Sequence, residues 1–145
     1  MASGDFTLTV TLNGTTATGR SESMSVSKSY SSVAQAYHQE MVVRTAGADT
    51  IFTIGSASGG GTLADPIKAI IIKNLDSTNF VTIGLIDATA KAFYTKLNAG
   101  GVLVLDDNEI DANATGGAFA AFTSLDTINA QFNTADGKVE IIVIK

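Results

Sequence analysis

The chain has no cysteine, no tryptophan, one proline and one histidine in 145 residues. Without cysteine there are no disulfides and no thiolate metal sites. A lone histidine, His38, excludes most histidine-based zinc and copper sites unless subunits share ligands. Basic residues are also sparse: nine Lys and Arg stand against fourteen Asp and Glu, for a formal net charge of −5, and they form no cluster. Nucleic-acid binding requires a basic face that displaces counterions, so nucleic acid is not an expected partner. No stretch approaches the roughly 18 uninterrupted apolar residues of a membrane helix, and no membrane span is expected. The opening MASGDFTLTV lacks a basic n-region and a long apolar run, so it does not read as a signal peptide.

Glycine, serine and threonine are plentiful: fourteen Gly against a single Pro, with polar β-branched Thr throughout, is the composition of a turn-rich β protein. A hydrophobic content of 45% is too high for a disordered chain. A domain of this length buries about 68–70% of its unfolded surface, enough for a core without staples. One domain over 1–145 is expected, with residues 1–5 as an N-terminal arm.

Phe6 to Leu12 alternates apolar residues with Thr, the pattern of a half-buried strand, and Asn13-Gly14 ends it. A second alternation places Met24, Val26 and Tyr30 between serines, with Lys28 breaking the apolar row as at a sheet rim or edge. Gly14 to Ser23 reads as a flexible loop or arm between them. Ser31 to Arg44 is ambiguous. Ser32 with Gln35 resembles a capping box and Val33, Tyr37 and Met41 recur every four residues, as in a helix; the favoured alternative is a strand from about Tyr37.

Further strands are expected over Asp49–Ile54, on both sides of Asp76–Asn79, over Ala92–Leu97, over Val102–Leu105 and on both sides of Asn133–Gly137. Gly55 to Gly61 reads as a loop, and Pro66 suits entry to a strand. The polar turn at Asp76–Asn79 and the Asp136-Gly137 turn both predict hairpins. The sum is nine or ten short strands at the spacing of an antiparallel sandwich or barrel, with no helix–strand rhythm and no internal repeat. Two strands are apolar on both faces: Ile70 and Ile72 oppose Ala69 and Ile71, and Ile142 and Ile144 oppose Ile141 and Val143. Their second row must be covered by long connections or by another subunit.

The chemistry-bearing residues are few. His38 has no marked nucleophile or orienting acid and reads as a surface residue. Gly55–Gly59 has Ala57 where a nucleophile elbow needs Ser, and no Gly-Lys-Ser/Thr follows as in a phosphate loop. Asp106 to Asp111 gathers hard oxygen ligands, but Ile110 and Asp111 break the Ca²⁺-loop pattern, leaving a solvated acidic loop. Asn13-Gly14-Thr15 and Asn113-Ala114-Thr115 match the glycosylation acceptor by chance in a Thr-rich chain. Tyr30, Tyr37 and Tyr94 read as core or rim residues rather than a sugar-stacking platform. No enzyme, cofactor or metal is expected.

Ile70 to Gly84, a strand closing in Asn74-Leu75, a short polar turn, and Asn79-Phe80-Val81 opening the next strand, resembles small virion structural proteins of tailed bacteriophages. Lys96 to Gly101 before an apolar strand and the terminal Val139–Ile144 extend the resemblance over roughly the last half of the chain. It implies a jelly-roll-like antiparallel β-sandwich serving as a capsid decoration or cement protein. A tail or neck component is the nearest alternative, and a carbohydrate- or receptor-binding module the next. It further implies assembly in the host cytoplasm into a virion, with partners in the major capsid protein and in further copies of itself, as a cyclic homo-oligomer such as a trimer. The residues expected to carry these contacts are Ile70, Ile72, Ile142 and Ile144, together with Ala2, Ser3 and Asp5.

Overall fold

Alternating apolar and polar residues favour strands wherever one face can be buried, and they do so along this whole chain. The computed structural model describes residues 4–33, 36–53, 67–87, 92–106 and 125–145. Ten strands run through them: β1 (Gly4–Thr15), β2 (Ser21–Val33), β3 (Ala36–Val43), β4 (Asp49–Thr53), β5 (Ala69–Asn74), β6 (Val81–Asp87), β7 (Ala92–Leu97), β8 (Val102–Asp106), β9 (Leu125–Phe132) and β10 (Gly137–Ile144). All pairings are antiparallel. The fold is an all-β sandwich with a separate hairpin.

The chain divides into two units, Met1–Gln35 and Ala36–Lys145. The sandwich is built from the second unit alone. β1 and β2 form a two-stranded sheet of their own and belong to neither layer. The segment Ser31–Arg44 is strand on both sides of its ambiguous middle, and β3 begins at Ala36. The expected loop Gly14–Ser23 is shorter than its composition suggested. Strand pairing continues to Thr15 and resumes at Ser21, because Thr16 closes the turn with backbone bonds to Gly19 and Arg20.

The two layers of the sandwich run β3-β10-β5-β8 and β4-β9-β6-β7. Ile70, Ile72, Ile141, Val143 and Val139 from the first layer meet Val81, Ile83, Leu85, Ile128, Ala130 and Phe132 from the second, all nearly or fully buried. β4 supplies two consecutive core residues, Ile51 and Phe52, because a register shift between Thr50 and Phe52 turns both inward. Phe52 packs on the Tyr37 ring at a centroid distance of 5.1 Å.

The sequence expected hairpins at Asp76–Asn79 and Asn133–Gly137, and neither forms. β5 and β6 lie in different layers, and so do β9 and β10. Both turns are arches that carry the chain from one sheet to the other, as are the β3–β4 and β7–β8 connections. Side-chain hydrogen bonds accompany the difference: besides bonds within each turn, they tie one arch to the next. Asn74, fully buried, sets its Nδ2 near the carbonyls of Asn79 (2.9 Å), Leu97 (3.2 Å) and Asn98 (3.1 Å), and accepts from the Asp76 amide at Oδ1 (2.9 Å). The β5–β6 and β7–β8 arches therefore share one amide. Asp136 Oδ1 accepts from the Thr45 amide (2.8 Å), joining the β9–β10 arch to the β3–β4 arch. Asn133 N donates to the Phe80 carbonyl (3.3 Å) and Leu75 N to the Lys138 carbonyl (2.9 Å), so the arches gather at one end of the sandwich.

Two carboxylates stiffen this end further. Asp76 Oδ1 accepts the Thr78 (2.7 Å) and Asn79 (2.6 Å) amides, and these backbone bonds hold its carboxyl below the usual range. Asp49 accepts from the Arg44 side chain (Nε, 2.9 Å) and its backbone amide (2.7 Å), with the same consequence. Gly100 sits at φ 68° in the β7–β8 turn, a conformation that favours glycine. Gly137 leaves room for the Phe132 ring, which a Cβ would meet at 2.5 Å.

Candidate interaction surface

The expected contact residues separate by face. Ile70 and Ile72 point into the sandwich and are fully buried, which removes them from the surface. Their strand is central, and its inward row is the one they occupy. The outer row of the same sheet holds Ile71 and Ile142, paired with each other and partly exposed, while Ile144 is buried with Ala69 beside it. His38 sits next in that row opposite Ile142 and places Nε2 2.7 Å from Glu140 Oε1, a surface pairing without a nucleophile among the residues it meets here. Asp5 is exposed at the start of β1; Ala2 and Ser3 lie outside the described residues. The glycine-rich segment 55–61 and residues 107–111 of the acidic cluster also lie outside them. Asp106 itself ends β8. Among the described residues no group of His, Asp and Glu is arranged to hold a metal ion, and no helix is long and apolar enough to cross a membrane.

The three tyrosines do not converge. Tyr37 packs on the core, Tyr30 is buried near the end of β2, and Tyr94 is exposed on β7, its ring over Gly84. A Cβ at Gly84 would lie 2.8 Å from that ring, so glycine is what lets Tyr94 lie flat on β6.

The N-terminal hairpin is the surface that stands out. Its register pairs Phe6 with Tyr30, Leu8 with Lys28, Val10 with Val26 and Leu12 with Met24. Residues directly opposite share a face, so these eight side chains make one row. The intervening pairs, Thr7–Ser29, Thr9–Ser27, Thr11–Ser25, Asn13–Ser23 and Thr15–Ser21, make the opposite face. That second row is a ladder of hydroxyls and one amide bonded across the ribbon. Thr9 and Ser27 are 2.9 Å apart, Thr7–Ser29 and Thr11–Ser25 3.3 Å, and Ser23 donates to Asn13 Oδ1 at 2.9 Å. The ribbon is amphipathic across its thickness.

Five of the eight side chains in this row have little cover, while Leu8 and Lys28 are half-buried and Tyr30 is buried. Leu12 is 58% exposed, Val26 56%, Met24 53%, Val10 45% and Phe6 41%. In the sandwich the equivalent rows are buried by the facing sheet. Lys28 interrupts the row beside Leu8 and directs its ammonium over the Tyr30 ring, 5.5 Å from the centroid. Arg20 and Glu22 pair at the closed end (Nε–Oε1 2.6 Å). Strand reading found β1 and β2, but not that they pair only with each other. The available signal was their symmetry: Thr at 7, 9 and 11 mirrors Ser at 25, 27 and 29 about the Thr16–Arg20 turn.

Comparison with protein families, curated proteins and solved structures finds no match.

Proposed function

We propose that this protein is a non-enzymatic structural subunit of a tailed-bacteriophage virion, with a jelly-roll body that adds to the capsid exterior as a decoration or cement protein. The strand order supports the jelly-roll reading. Position by position, the orders β3-β10-β5-β8 and β4-β9-β6-β7 match: each strand of one sheet holds the place that its neighbour in sequence holds in the other. Eight strands in two four-stranded sheets with these orders are what a jelly roll calls for, an architecture used by viral capsid and lectin domains. Fold by itself does not carry function. The observation that carries the reading is the uncovered apolar row of the β1–β2 hairpin, a surface whose chemistry suits protein–protein contact and offers no reacting group.

The mechanism is mechanical. A subunit that binds only the assembled shell stabilises it by mass action, adding apolar and hydrogen-bonded contact across its joints. In this reading Ile71 and Ile142 on the outer sheet face serve contact with the shell, and the hairpin row serves contact between copies of the chain. The test is mass spectrometry of purified virions from a producing culture. The protein is expected in the particles and in the head fraction once tails are detached; its absence from particles would end the reading.

A tail or neck component is the second reading, favoured by the length of the hairpin. Twelve- and thirteen-residue strands at about 3.4 Å per residue reach roughly 40 Å, enough to extend between stacked rings. Recovery in the tail fraction alone would select it over the capsid.

A further inference from the structure

The hairpin leaves two needs open at once. Its apolar row is largely uncovered, and the outer edges of β1 and β2 pair with no strand among the described residues. Native proteins blunt exposed edges with proline, charge, bulges or short strands. These edges are 12 and 13 residues long and contain no proline. Residues 7–13 and 23–27 carry no charge, and the one register shift lies at the open end, between Gly4 and Phe6. A lone two-stranded ribbon is only marginally stable in water, so this one is built for partners.

We propose that copies of this chain close their hairpins into one small barrel. β1 of each copy pairs with β2 of the next, the apolar row turns inward and the hydroxyl ladder faces water. The inference rests on the reading of the chain as a self-assembling structural subunit and specifies how it assembles. A simple dimer, row against row, meets neither need fully. The exposed parts of Phe6, Val10, Leu12, Met24 and Val26 amount to about 400 Å². A standard interface takes about 800 Å² from each partner, and such a dimer would leave every edge open.

Side-by-side pairing gives each copy two neighbours, and a head-to-tail contact of this kind ends only by closing into a ring. Strands of 12 and 13 residues are long enough to keep a shared ladder while taking the stagger that closure requires. Three or four copies supply six or eight strands, and about eight is the number whose interior side chains just fill. Lys28 fits this curl, since its stem lines the interior while its ammonium turns over the Tyr30 ring, toward the open end of the hairpin. The opposite curl, with the apolar row against lipid, sets Lys28 on the lipid face, where a charge is costly.

Three measurements on the full-length protein test the barrel: native mass spectrometry, residue-resolved amide exchange, and co-flotation with phosphatidylcholine vesicles. The expected result is a species of three or four copies with consecutive amides protected along 7–13 and 23–29, and no flotation. Substituting Val10→Thr together with Val26→Thr weakens assembly by about tenfold or more while thermal unfolding of the sandwich stays unchanged. A monomer or dimer, protection at alternate residues only, assembly indifferent to the double substitution, or flotation with vesicles overturns the barrel. Absence from virions with the ring intact sinks the functional reading alone, and a monomeric virion protein sinks the barrel alone.

Discussion

The hairpin and the sandwich are written in the same alternating pattern and end in opposite situations. Along β10, Val139, Ile141 and Val143 alternate with Glu140 and Ile142, and the first three are buried by the facing layer. Along β1, Leu8, Val10 and Leu12 alternate with threonines, and Val10 and Leu12 remain about half exposed. Alternation selects the strand conformation in both places because residues two apart share a face. Covering that face is a separate matter. The sandwich covers its own rows because most consecutive strands change sheets, so that the chain folds one sheet onto the other. The hairpin turns back on itself, and β1 and β2 pair with no further strand among the described residues.

The comparison is sharpest in the aromatic residues. Phe52→Ala should cost the sandwich about 3–5 kcal/mol, through lost burial and a cavity beside Tyr37. Phe6→Ala, on a residue 41% exposed, should leave the unfolding midpoint within about 0.5 kcal/mol. Urea titrations of both variants decide it; equal costs would show that the hairpin row is buried in the folded subunit after all.

Asn74→Ala should come next, at about 2–3 kcal/mol, because it leaves buried carbonyls at the β5–β6 and β7–β8 arches without their donor. Asn13→Ala also removes a side-chain amide, but one that only accepts from exposed Ser23, and should be near neutral by the same titration. A cheap Asn74 substitution would mean that packing alone holds the arches.

The smallest effect is electrostatic and confined to the sandwich. Asp49 and Asp76 have carboxyls held low by hydrogen bonds, Asp49 first by the Arg44 side chain and Asp76 by the Asn79 and Thr78 amides. A group with a lowered folded value contributes stability above its unfolded value of about 3.9, and loses it as pH falls through the folded value. The midpoint gap between wild type and Asp49→Asn or Asp76→Asn should therefore be open at neutral pH and close in acid. A gap unchanged down to acid pH would assign the loss to geometry instead of charge.

Much of this was legible from residue order. The strands at Phe6–Leu12, Ala92–Leu97 and Val102–Leu105 follow from alternation and flanking turn residues, and so does the antiparallel all-β class. The turns were misjudged for a specific reason. Asp76-Ser77-Thr78-Asn79 has the composition of a hairpin loop, but its polar groups bond along the turn and, through Asn74, to the next arch. Composition cannot tell a turn within a sheet from one between sheets, because both require the same side chains. Ile70 and Ile72, among the expected contact residues, were misjudged similarly: Ile70 and Ile71 are identical in type, and only the position of the facing layer buries one fully and leaves the other partly exposed.

By itself the sequence determined where strands run, which residues share a face, and that the chain carries no thiol and little imidazole. Those are local properties, set by side-chain period and residue type. Tertiary structure alone decided which strands become neighbours, which of two apolar rows is covered, and that the strands of Gly4–Val33 pair with each other in a sheet of their own. Such outcomes depend on contacts between residues far apart in the chain, and a one-residue difference in facing exchanges core for surface.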